Sequence, residues 1–256
     1  MARSAQLIIL SLIIGVSFFF IPSAPQKFSV KVISSSLPPH SRWAISDPAP
    51  RDILSQKFTF LGEGAQAIAF QSEDEKYVLK LFKMRRFTPS FTDQLCPHVV
   101  RRRLRNLHWV FNGYKNAYQD LRTDTGLVWI HLAKTKNLHQ TLTLLDQDGN
   151  EHLIDADATE FVIQEKAELI FDHLSRLQRE GKTSDVKKAI ASIYVLVQHR
   201  IDMGYADRDK AVSNNYGFVG DRPIQLDTGR LYKGHKAGKL EHIQNRIEKQ
   251  INQPLL

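Results

Sequence analysis

Near the carboxyl-terminal end, Asp209 is followed five positions later by Asn214, and thirteen after that by Asp227 in the tripeptide Asp227-Thr228-Gly229. Between them the chain reads as a polar loop, a short hairpin (Asn215 to Phe218, turning at Val219-Gly220-Asp221-Arg222-Pro223) and a strand from Ile224 to Leu226. Such a course returns Asp227 to the neighbourhood of Asn214. A second set lies far upstream: Gly62-x-Gly64 joins two strand-like runs in Phe58 to Phe70, and Lys80 sits inside Tyr77-Val78-Leu79-Lys80-Leu81-Phe82. Glycine lets a backbone approach anionic oxygen closely, and a lysine on a rigid strand brings a point charge to it. Strand alternation puts Val78 and Lys80 on one face and Leu79 and Leu81 on the other, and a charge sharing an apolar face implies a cleft.

The two sets, in this order and at this distance, resemble the core of the protein-kinase-like superfamily. Asp207-Arg208-Asp209 stands where H-R-D stands, Asn214 where its metal-binding Asn stands, and Asp227-Thr228-Gly229 where D-F-G stands. The Gly62 to Gly64 loop and Lys80 match the Gly-rich loop and the third-strand Lys. The resemblance implies an α+β, two-lobed fold with a β-rich amino lobe and a reduced helical carboxyl lobe. It implies ATP and Mg²⁺ as cofactors, with Lys80 on the α and β phosphates, Gly62 and Gly64 covering them, Asn214 and Asp227 on Mg²⁺, and Asp209 taking the acceptor hydroxyl proton. It spans about Phe58 to Arg230. The run Asp227-Thr228-Gly229-Arg230 is also similar to the metal-binding segment of the small bacterial lipopolysaccharide-core sugar kinases.

Departures from the pattern matter too. Asp207 replaces His, Thr228 replaces Phe, and Ala67 replaces the third glycine of the loop. No Glu occurs between Glu75 and Glu151 to pair with Lys80; Asp120, or failing it Gln119, is the available substitute on the helix spanning Val99 to Leu121. Either the lobe closes differently, or the Lys80 partner is missing and activity is weak or absent, in which case the domain is an inactive binding module. After Gly229 come 27 residues, with no A-P-E motif or peptide-holding helices, so a sugar or glycolipid acceptor is expected rather than a peptide.

Residues 1–24 carry a basic tip and an apolar run from Leu7 to Ile21, which suits a signal peptide or a membrane anchor. The expected localisation is therefore membrane-anchored or exported. Residues 25–55 are rich in Ser and Pro and read as a linker or an irregular cover strand, 56–165 as the amino lobe, and 166–256 as the carboxyl lobe with the catalytic loop. A net charge of +8 suits phosphates or an anionic membrane surface. Nucleic acid is disfavoured, because no nucleic-acid-reading motif is present. Cys96, the single cysteine, excludes an internal disulfide framework.

Other stretches support the frame. Gly113 interrupts the Val99 to Leu121 periodicity and allows two helices there. Arg101, Arg102, Arg103 and Arg105 form a basic run, read as a solvated face, with an anionic membrane or a phosphorylated partner as the functional options. Asp146-Gln147-Asp148-Gly149-Asn150 reads as a hairpin turn, Phe161 to Glu165 as the strand entering the hinge, and Asp185 to Met203 as an amphipathic helix stopped by Gly204.

Overall fold

The computed structural model describes residues 28–209, 211–234 and 240–251. The expected leader, 1–24, lies outside the described residues. Of the linker and the irregular cover that the stretch allowed, the described residues form the cover from residue 28 onward: α1 (Val30–Ile33), a 3₁₀ turn at Ser41–Trp43 and α2 (Arg51–Leu54) bury Phe28, Ile33, Trp43 and Leu54. Ser and Pro suppress regular structure there without preventing burial of the large apolar side chains between them. Trp43 Nε1 donates to Asn112 Oδ1 at 2.8 Å, and the Phe28 ring meets Phe70 edge-on at 5.3 Å.

Seven strands form the main sheet: β1 (Lys57–Glu63), β2 (Ala67–Ser72), β3 (Tyr77–Phe82), β4 (Leu127–His131), β5 (Thr141–Leu145), β6 (Glu151–Asp155) and β7 (Phe161–Glu165), in the order β4-β7-β3-β2-β1-β5-β6. All pairs are antiparallel except β1 with β5. β3 and β7 lie inside the sheet and are apolar on both faces, as a strand covered on both sides must be. The Asp146 turn closes β5 on β6: its carboxylate accepts the N–H groups of Asp148 and Asn150, each at 2.9 Å, and meets His152 Nε2 at 2.8 Å.

One face of the sheet carries α3 (Pro97–Asp120), an unbroken helix whose Leu107, Val110, Phe111, Tyr114, Ala117 and Tyr118 recur at helical spacing and pack with Phe82, Ile130 and Val162. The other face is covered by the amino-terminal segment, with Phe28, Ile33 and Leu54 packed among Phe58, Phe70, Leu79 and Leu81, and Leu142, Leu144 and Ile154 of β5 and β6 join that core. A single turn, α4 (Arg122–Thr125), follows α3 and ends at Gly126, whose φ of +60° suits a glycine.

Beyond β7 come β8 (Glu168–Leu169), α5 (Ile170–Arg179), α6 (Thr183–Asp202), β9 (Tyr205–Asp207), β10 (Tyr216–Val219), β11 (Arg222–Gln225), β12 (Leu231–Lys233) and α7 (Leu240–Ile251). Ile170, Leu174, Ile193, Val197, Phe218 and Ile247 make a separate core there. Small sheets, β11-β10-β8 and β12-β9, support the loops between the two cores. The result is an α+β fold in two parts, a seven-stranded sheet with α3 and the helical segment that follows it. Among the described residues, no helix is long and apolar enough to cross a membrane.

Candidate functional site

Lys80 stands on β3 between Ala69 of β2 and Val162 of β7. Its Nζ donates to the Leu226 carbonyl at 2.8 Å, the one hydrogen bond it makes among the described residues, so two of its three donors are left for a ligand. Burial pulls its pKa down to about 8, opposed by the negative charge of Asp227. The buried Tyr114 hydroxyl, on α3, is pushed well above its ordinary pKa by burial and then by the same carboxylate. Lys80 and Tyr114 are therefore both buried within the field of the Asp227 carboxylate.

Asp227 Oδ1 accepts the Gly229 N–H at 3.0 Å and closes the Asp-Thr-Gly turn. Gly113 lets α3 run against that turn. A Cβ at Gly113 would stand 2.3 Å from the Thr228 carbonyl oxygen, so the residue that suggested a helix break marks a close approach within one helix. The Gly-rich turn is tight, with Gly64 N–H donating to the Ala67 carbonyl at 2.9 Å, and Arg86 Nη1 donates to the Ala65 carbonyl. A Cβ at Gly62 would meet nothing within 4 Å, so that glycine lies beside open space. Gln66, at the tip, lies against Gly229, and its Oε1 is buried without a hydrogen-bond partner.

The loop from Asp207 to Asp209 is held by a buried network that the sequence alone did not reveal. Arg200 Nη1, from α6, donates to Tyr216 OH at 3.0 Å and to Gln225 Oε1 at 2.9 Å. Gln225 Nε2 donates to Asp207 Oδ2 at 2.7 Å and to the Asp227 carbonyl at 3.0 Å. Asp207 Oδ1 accepts the Asp209 N–H at 2.7 Å. Asp207 thus ties the Asp209 backbone to Gln225 through its two carboxylate oxygens. Burial raises its pKa to about 6, against the lowering effect of the Asp209 N–H and Arg200. Asp209 Oδ1 accepts the Ala211 N–H at 2.9 Å, and its Oδ2 lies 3.9 Å from Arg230 Nε.

One expectation meets a different geometry. Asp120 does not reach Lys80: at the last turn of α3 its carboxylate bonds Tyr205 OH at 2.5 Å and Lys233 Nζ at 2.7 Å. These partners hold its pKa below the usual carboxylate range, Lys233 foremost. Asn214 is exposed and makes no hydrogen bond among the described residues. The neighbouring Asn215 is buried, its carbonyl takes the Leu226 N–H at 2.7 Å, and its Nδ2 has no partner. Among the described residues no group of three or more His, Cys, Asp and Glu could by itself hold a metal ion.

No protein-family model matches the chain, and no curated protein matches it. Among solved structures it is similar to the bifunctional kinase-methyltransferase WbdD, at 15% identity and a TM-score of 0.35, covering 73% of this chain and 33% of that one. It is also similar to Rv3197 from Mycobacterium tuberculosis, solved in complex with erythromycin, at 13% identity and a TM-score of 0.36, covering 79% and 53%. The chain spans about a third and about half of those two chains, and overlaps this loose carry no argument about its chemistry.

Proposed function

We propose that the chain is an ATP- and Mg²⁺-dependent phosphotransferase acting on a non-peptide acceptor hydroxyl, with a sugar or glycolipid as the acceptor class. The observation that carries this reading is Lys80: a desolvated ammonium on a central strand, beside Asp227, with two donors unpartnered. A cation in that setting fits a site that receives anionic oxygen. Bound ATP would supply the phosphoryl group, and Mg²⁺ would offset its charge. Lys80 would hold the α and β phosphate oxygens, with Gly62 and Gly64 letting the loop backbone lie close above them. Asp227 and Asn214 would hold Mg²⁺, and Asp209 would orient the acceptor hydroxyl and take its proton. The amino-terminal apolar segment would anchor or export the enzyme.

A second reading rests on Asp120. With that acid held by Tyr205 and Lys233, Lys80 has no acidic partner on α3, which favours an inactive binding module using the same cleft. Transfer of labelled γ-phosphate, measured beside Asp227→Ala and Asp209→Asn, separates the two. The phosphotransferase reading expects turnover in the wild type that is lost in Asp227→Ala while the fold is kept. Full activity in Asp227→Ala would sink it, and nucleotide binding without turnover in the wild type would favour the binding module.

A further inference from the structure

We propose that the cavity beside the Asp227-Thr228-Gly229 turn binds the phosphate-bearing part of the acceptor. The word acceptor rests on the phosphotransferase reading; the anion site rests on the cavity alone. The cavity has a volume of about 840 Å³, and Arg86, Arg102, Arg103, Arg208, Arg230 and Lys233 line it with no carboxylate among the lining residues. Three of these cations have acidic neighbours outside the lining: Arg103 with Asp93 at 2.9 Å, Arg230 with Asp209 at 3.9 Å, and Lys233 with Asp120 at 2.7 Å. Arg86, Arg102 and Arg208 have no carboxylate partner among the described residues.

Arg208 is the best prepared of them. Its guanidinium lies 4.4 Å from the Trp109 ring centre and 4.6 Å from that of Tyr232, and it makes no side-chain hydrogen bond among the described residues. Stacking on aromatic rings orients a guanidinium while leaving its N–H edge free for two oxygens of one phosphate. Arg102, Asn106 and Trp109 share one face of α3, so the helix presents a charge, an amide and a ring to the same space. Several unpaired arginines suit a ligand that spreads negative charge over several oxygens better than a single carboxylate. The concavity and volume suit a small molecule or a lipid headgroup rather than a flat polymer surface.

Position ties the cavity to the chemistry. Its wall includes Ala65 and Gln66 from the Gly-rich turn and Gly229 and Arg230 from the Asp-Thr-Gly turn. Arg230 Nε also lies 3.9 Å from Asp209 Oδ2. A ligand held there by its phosphate would lie next to the group that orients the acceptor hydroxyl. The basic run around Arg102 is thus only partly a solvated face: Arg102 and Arg103 line the cavity, while Arg101 and Arg105 do not.

The test is calorimetric titration of the full chain with inorganic pyrophosphate, in the wild type, Arg208→Ala, Arg102→Ala and Lys80→Ala. Loss of one charge-assisted pair should weaken binding about tenfold or more in Arg208→Ala, with a smaller loss in Arg102→Ala and binding retained in Lys80→Ala. Arg208→Lys keeps the charge, forfeits the stacking, and should fall between. Wild-type protein that does not bind pyrophosphate would overturn the proposal. So would binding that survives Arg208→Ala and disappears in Lys80→Ala, because the anion would then occupy the nucleotide cleft. Sedimentation with phosphatidylcholine vesicles, with and without phosphatidic acid, identifies the source: Arg208-dependent capture supports a lipid phosphate, and pyrophosphate binding without capture supports a soluble phosphorylated compound. Arg208-dependent binding in a chain that no nucleotide stabilises would keep the anion site and overturn the phosphotransferase reading alone.

Discussion

Gly113 and Thr228 touch so closely that a Cβ on the glycine would stand 2.3 Å from the threonine carbonyl oxygen. In an exposed helix, Gly→Ala stabilises by about 1 kcal/mol. Here the added methyl would push α3 away from the Asp-Thr-Gly turn. Gly113→Ala should therefore lose about 1–3 kcal/mol in denaturant unfolding, as overpacked sites do. A gain in stability would show that α3 and the turn are not in contact.

Asp207 accepts two donors, the Asp209 N–H on one oxygen and Gln225 Nε2 on the other. Asparagine keeps the shape but offers one accepting oxygen, so one buried donor loses its partner. Asp207→Asn should cost about 1–3 kcal/mol of stability. It should also loosen the Asp209 loop, measured as faster amide exchange at Asp209 and Ala211. Unchanged exchange at both amides would mean that the carboxylate does not hold the loop.

Lys80 offers a test by proton counting. Its pKa in the folded chain is lowered from 10.5 to about 8, so its burial cost is fully present below about pH 8 and fades as pH rises toward 10.5. A bound phosphate would favour the charged form and raise that pKa. Titration of the chain with ATP and Mg²⁺ near pH 8, in buffers of different ionisation heat, should show fractional proton uptake that Lys80→Ala lacks. Equal uptake in the variant would assign the proton to another group.

Glu160 is buried, its Oε2 has no partner, and burial raises its pKa from 4.5 to about 7. Because the folded value is the higher one, the folded chain is favoured while the carboxyl is neutral, and that advantage is lost as pH rises through about 7. A shift of this size corresponds to about 3 kcal/mol. Glu160→Gln should therefore flatten the decline in stability between about pH 4.5 and about pH 7. The same decline in the variant would place its cause elsewhere.

What the sequence disclosed and what it hid follow from how local each signal is. The β1–β2 turn, β3, the Asp146 hairpin and α6 rest on short-range periodicity and turn chemistry, and each lies where its pattern put it. The juxtaposition of Lys80 with the segment leading to Asp227 was legible because two motifs occur in a fixed order. The Arg200-Gln225-Asp207 network was not, since its members come from α6, β11 and β9 and only tertiary structure joins them. The packed segment after residue 28 was hidden for a related reason: its burial comes from separate large side chains with no repeat to announce them. Asp120 misled because helix position alone does not tell which of several cations an acid will meet. Gly113 carried a usable signal, because a glycine inside an otherwise strong helix marks either a break or a close approach.

The central claim is that Lys80 and Asp227 form a nucleotide cleft. Its most direct test is thermal unfolding of the chain with and without ATP and Mg²⁺, beside Lys80→Ala and Asp227→Ala. At ligand a hundredfold above its dissociation constant, binding should add about 2.7 kcal/mol. The account predicts a Mg²⁺-dependent rise of that order which both variants lose; an unchanged unfolding temperature, or a rise that both variants keep, would contradict it.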